Sequence, residues 1–184
     1  MVQIPFRSMH FFNDLPPAPI VGARLGSTAP TIATFVSDIE QYTFDASNDY
    51  IIGASEVIHW YDEGTDIEAH VHWNSNGSEV GDTYVNFQLK YSLLHVGAAA
   101  GAQQTITTGD TVIAGGTADR FGFMTPFTDL IDGSTLTIGD YIVFRFERIA
   151  LTGGGADPAA DPFVIAVGFH AEGDSTGSLT RYTK

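Results

Sequence analysis

The sequence contains no cysteine, which removes disulfides, thiolate catalysis and cysteine-ligated zinc together. The compartment stays open, because a cysteine-free chain folds in any redox setting. Bases are scarce as well: eight Lys and Arg stand against 22 Asp and Glu, a formal net charge of −14. Phosphate backbones and anionic bilayers would be repelled, so neither nucleic acid nor membrane is an expected partner. Between Arg24 and Lys90 there is no Lys or Arg, while Asp38, Glu40, Asp45, Asp49, Glu56, Asp62, Glu63, Asp66, Glu68, Glu79 and Asp82 fall there. A solvated acidic surface accounts for that run; a calcium site or a basic partner is the sharper reading. Long apolar runs are missing, and Pro5, Asn13, Asp14 and Pro16 interrupt the stretch where a secretion signal would carry its apolar core. The expectation is a soluble protein, intracellular or released by lysis.

Helical periodicity and the common catalytic signatures are absent too. The Ala- and Gly-rich residues 96–102 carry no apolar stripe, and there is no Gly-x-Ser-x-Gly element. The triplet Gly153-Gly154-Gly155 has neither a lysine nor a following helical pattern, so it reads as a flexible loop rather than a phosphate cradle.

What is present is alternation. Val85, Phe87, Leu89, Tyr91 and Leu93 share one face of a run over residues 83–96, with Asn86, Gln88, Lys90 and Ser92 on the other. Similar short runs occupy residues 32–36, 41–44, 50–59, 66–73, 104–112 (broken at Gly109), 135–138, 141–151 and 163–171, separated by Gly, Asp, Asn and Ser. Runs of this length with one polar face predict an all-β fold, an antiparallel β-sandwich of jelly-roll type with about eight strands. The predicted core includes Phe87, Leu89, Tyr91, Phe144, Phe146, Ile165, Val167 and Phe169. Residues 31–184 form this sandwich domain. Residues 1–30, with Pro5, Pro16, Pro17, Pro19 and Pro30 among Phe6, Met9, Phe11, Phe12, Leu15, Ile20 and Val21, form an extended N-terminal arm too apolar to be a free tail. Arg7 and Arg24 make it slightly basic ahead of an acidic body.

The chemistry-bearing residues sit on the polar faces. Asp66, Glu68, His70 and His72 alternate with Ile67, Ala69, Val71 and Trp73; near the end, His170 and Glu172 face away from Val167 and Phe169. Imidazoles and carboxylates on the outer face of a sheet fit a metal site, a subunit contact or plain solvation. Gly64 with His70-Val71-His72 matches the opening of a cupin metal motif, but the later carboxylate and the second half of that motif are missing. Asp62, Glu63 and Asp66 around Gly64 lack calcium-loop spacing, and Trp60 and Trp73 read as core or interface anchors before carbohydrate platforms.

The order His59-x4-Gly64-Thr65-Asp66-Ile67-x2-His70-Val71-His72-Trp73 resembles a family of small virion proteins of tailed bacteriophages. The ending Phe169-His170-Ala171-Glu172-Gly173-Asp174-x2-Gly177-Ser178, followed by Arg181 and Lys184, is similar to the element that closes those proteins. Ala171 stands where that family tends to an aromatic residue and Ile58 where it often has proline. The resemblance covers about residues 50–95 and 141–184. It implies a non-enzymatic structural protein without cofactor or metal, made in the bacterial host cytoplasm. It further implies a homotrimer with a jelly-roll body, acting as a decoration or cement protein on the capsid exterior, with the major capsid protein as partner. A tail or receptor-binding protein is the alternative, and a cupin-like metal enzyme a further one. On this reading His70, His72, His170, Glu68 and Glu172 are the candidate subunit interface, weakened when imidazoles become charged near pH 6. Arg7, Phe11, Phe12 and Arg24 belong to the candidate capsid-docking arm.

Overall fold

A computed structural model describes residues 9–14, 24–46, 49–57 and 61–173, with residues 9–14 and Arg24 described by backbone alone. These residues form twelve strands and no helix. The first six are β1 (Met9–Asp14), β2 (Arg24–Leu25), β3 (Thr31–Val36), β4 (Ile39–Thr43), β5 (Tyr50–Glu56) and β6 (Glu68–Asn74). The rest are β7 (Thr83–Leu94), β8 (Gln104–Thr107), β9 (Thr111–Ile113), β10 (Gly122–Pro126), β11 (Tyr141–Ile149) and β12 (Phe163–Ala171).

The strands build two six-stranded sheets. One runs β10-β6-β12-β4-β3, with β1 sharing the β4 edge of β12; the other runs β2-β5-β11-β7-β8, with β9 beside β8 along β7. Every strand pair is antiparallel. Following the chain, β4 lies in the first sheet, β5 in the second, β6 in the first, β7 and β8 in the second, β10 in the first, β11 in the second and β12 in the first. That order interlocks two Greek keys, β10-β6-β12-β4 facing β5-β11-β7-β8, which is the jelly-roll sandwich. The extra strands are β1, β2, β3 and β9, added at edges.

Aromatic rings from both sheets fill the space between them. Phe44 and Phe87 each pack on Phe146 at 5.4 Å, Trp73 meets Phe87 at 5.7 Å, and Phe144 meets Phe169 at 5.5 Å. The Trp73 indole N–H donates to Thr125 Oγ1 at 3.0 Å, so its one polar atom is satisfied inside the core. Leu89, Tyr91 and Val167 are buried as expected, but Ile165 is not. The register of β12 against β6 shifts between Val164 and Ala166, so a bulge inserts one residue. Val164 and Val167 both join the core, and Ile165 moves off it.

Other boundaries moved as well. Residues 135–138, expected as a strand, form a loop in which the Thr137 N–H and hydroxyl both donate to Asp140. The run over 104–112 divides into β8 and β9 around Gly109, whose φ of +68° lies in the left-handed region. Strand β10 falls where no strand is expected from the sequence. Two pieces of the expected arm pair with the sandwich: β1 lies along β12 and β2 along β5. Arg7 lies outside the described residues, as do His59 and Trp60; for Phe11, Phe12 and Arg24 only the backbone pairing is described.

Candidate functional site

Strands β6 and β12 are neighbours in the middle of the first sheet, and their register sets the geometry of the imidazole cluster. His170 stands opposite Glu68, Gly168 opposite His70, and Ala166 opposite His72. Directly opposed side chains on one face start about 5 Å apart, and diagonal neighbours lie within reach of long side chains. His170 therefore meets Glu68 directly, with Nδ1 3.3 Å from Oε1. His70 reaches His170 diagonally, its ring centroid 4.2 Å away and tilted by 41°. On its other flank His70 meets the His72 ring edge-on, with 3.1 Å between the two Nε2 atoms. One Nε2 must carry a proton and the other accept it.

Gly168 is what admits the central ring. A Cβ on that residue would collide with Nε2 and Cε1 of His70, so the imidazole lies across a position that only glycine leaves open. On the other side of β12, the backbone of His10 is paired opposite His170 and that of Phe12 opposite Gly168.

Alternation placed these imidazoles on the outer face, and they are there: Ile67, Ala69, Val71 and Trp73 point into the core. His70 is nonetheless fully buried. The members of the imidazole cluster that a partner subunit could touch are therefore His72, His170 and Glu68, which are half-buried. Glu172 is exposed and lies outside the cluster. Among the described residues, Glu68, His70 and His170 are the group whose ligand atoms, all within 4.8 Å of one another, could hold a metal ion. The acidic turn does not join them: Glu63 accepts from the Ile138 N–H at 2.9 Å and Asp66 from the Gly133 N–H at 3.1 Å, so both carboxylates tie down the loop before β11. A cupin's lumen, where its imidazoles would stand, is here occupied by Phe44, Trp73, Phe87 and Phe146.

Among the described residues, one groove opens at this cluster and another on the second sheet. The first, of about 520 Å³, borders His72 and is lined by Phe123, Met124, Ile165 and Ala166. The second, of about 550 Å³, opens beside β7 and β8, with Tyr91, His95, Gln104, Asp129 and Asp132 on its wall. His95 Nδ1 lies 2.8 Å from the carboxylate of Asp140, which is almost fully buried. Burial alone would raise the Asp140 carboxyl, but donors from Thr137, His95 and Val96 outweigh it and hold the group below its ordinary value. Burial, and then the charges of Asp132 and Asp129, push the Tyr91 phenol up. The His95–Asp140 pair is not legible in the sequence, because its members flank strand ends that only the β7–β11 ladder brings side by side.

The glycine-rich loop has an internal occupant. The N–H groups of Thr152 and Gly153 donate to Asp110, which also accepts from Asn86. Farther along, Asp157 and Asp161 grip the buried Arg148 at 2.7 and 2.8 Å.

No family model and no curated protein matches the chain. A comparison with solved structures finds a chain described as a xylan-binding module CBM15, 17% identical, covering 91% of this chain and 99% of that one, at a TM-score of 0.42. A likeness of that degree bears on neither ligand nor role.

Proposed function

We propose that this chain is a non-enzymatic structural protein of a tailed-bacteriophage virion, assembling as a trimer that decorates the capsid exterior. One observation carries the reading. The two sequence elements that resemble the virion family lie far apart in the chain, yet His70-Val71-His72-Trp73 and Phe169-His170 fall on adjacent strands and meet as a single cross-strand unit. Their contact supports reading the two elements as parts of one unit. The filled space between the sheets supports a scaffold role over a lumen enzyme.

Assembly is supported by the far edge of the same sheet, where β3 and β4 expose Ile32, Val36 and Ile39. Edge strands carrying bare aliphatic side chains are pairing surfaces unless something covers them. The strongly acidic body suits a surface that stays soluble at the local concentration of a particle.

The test is decoration itself. Purified full-length protein should behave as a trimer in light scattering at micromolar concentration and bind phage heads prepared without it. A monomer that leaves such heads bare defeats the proposal, and binding to host cells instead transfers the chain to a tail or receptor-binding role.

A further inference from the structure

We infer that Glu68, His70 and His170 form a binding site for one divalent first-row transition ion, with zinc as the reference occupant, that clips β6 to β12. The inference does not depend on the virion reading. It rests on three features of the outer face of the first sheet.

The donor set comes first. Two imidazoles and one carboxylate present ligand atoms within 4.8 Å of one another. Nitrogen and oxygen donors in that ratio suit zinc and its neighbours, whereas calcium and magnesium prefer oxygen alone. Donors sharing one tetrahedral ion at about 2.0–2.1 Å stand about 3.3 Å apart. The Glu68–His170 pair is already at 3.3 Å. Glu68, whose side chain is 46% exposed, can rotate to adjust its own distances to the two imidazoles. His72, with its Nε2 3.1 Å from that of His70, is at hand as a further nitrogen donor.

The mounting comes second. All three donors sit on the two central strands, in a register fixed by the antiparallel ladder. Their spacing is therefore built into the sheet rather than left to loop motion, the preorganisation that metal sites require.

The third feature is the seat. Gly168 yields its side chain so that the His70 ring can lie across the strand, and the ring is held there fully buried between His170 and His72. Solvation does not call for such an arrangement. A chain of net charge −14 also draws cations toward its surface.

The experiment titrates chelator-stripped, full-length protein with Zn(II) by calorimetry, and with Co(II) by visible absorption. Glu68→Gln and His170→Asn serve as the variants, because they alter the exposed side of the cluster and leave buried His70 in place. The expected result is one equivalent of Zn(II) per chain, a Co(II) spectrum of low coordination number, and affinity lowered at least about tenfold in each variant. Both variants should keep the β-sheet circular dichroism of the parent. No saturable binding overturns the inference. So does binding of equal strength in parent and variants, since the ion would then sit elsewhere.

Discussion

Replacing Gly168 with alanine tests the mounting of the imidazole cluster directly. The new Cβ would fall on Nε2 and Cε1 of His70, and that ring has no room to retreat. It is fully buried, with His170 on one flank at 4.2 Å and His72 on the other at 4.9 Å between centroids. Overpacking at such a place costs about 2–3 kcal/mol, the upper part of the usual range. Alanine also narrows the unfolded ensemble, which returns about 0.4–1 kcal/mol. The net loss should be about 1–2.6 kcal/mol, and at about 2–4 °C per kcal/mol for a chain of this length Tm should fall by about 2–10 °C. Gly81→Ala is the matched control, because a Cβ there meets nothing within 4 Å and its φ is not positive. Urea unfolding of parent, Gly168→Ala, Gly81→Ala and the Gly168→Ala, His70→Ala pair isolates the clash. Removing the ring should make the glycine substitution harmless, a coupling of at least about 1 kcal/mol. If Gly168→Ala is as stable as Gly81→Ala, the account of the seat is wrong.

Two further outcomes follow from the buried charges. The Asp140 carboxyl is held below its ordinary value of 3.8, so its contribution to stability is complete above that value and is lost as pH falls through the folded-state pKa. Asp140→Asn, which does not titrate, should therefore lower stability at pH 7 and flatten the acid limb as pH falls below the ordinary value of 3.8; parallel urea midpoints for parent and variant across that limb would count against it. Arg148 is 3% exposed while Asp157 and Asp161 are about half exposed, so the cation is the member that cannot regain water. Removing both carboxylates in Asp157→Ala, Asp161→Ala should cost about 3–5 kcal/mol in denaturant unfolding, as expected for an uncompensated buried charge, and a loss below about 1 kcal/mol refutes that ranking.

Period-two alternation was enough to fix the class and most of the strands. Phe87, Leu89 and Tyr91, or Phe144 and Phe146, repeat every second residue because a pleated strand with one buried face demands it. The same rule places His70 and His72 on the face opposite Val71 and Trp73. Alternation is a local property, however, and three kinds of feature escaped it. The bulge at Ile165 is a decision of the ladder: an extra residue is tolerated where β12 passes β6, and nothing in Phe163-Val164-Ile165-Ala166 announces it. Strand β10 carries Gly122 and Pro126 and earns its place by pairing with β6, not by its own propensity. The site itself needed register above all. That Gly168 lies under His70 and that His170 faces Glu68 depends on how two distant segments align. The sequence by itself determined which side chains share a face, because that follows from the geometry of one strand; only the tertiary structure decided which of them touch, because contact across strands depends on register, and register is set by the whole sandwich.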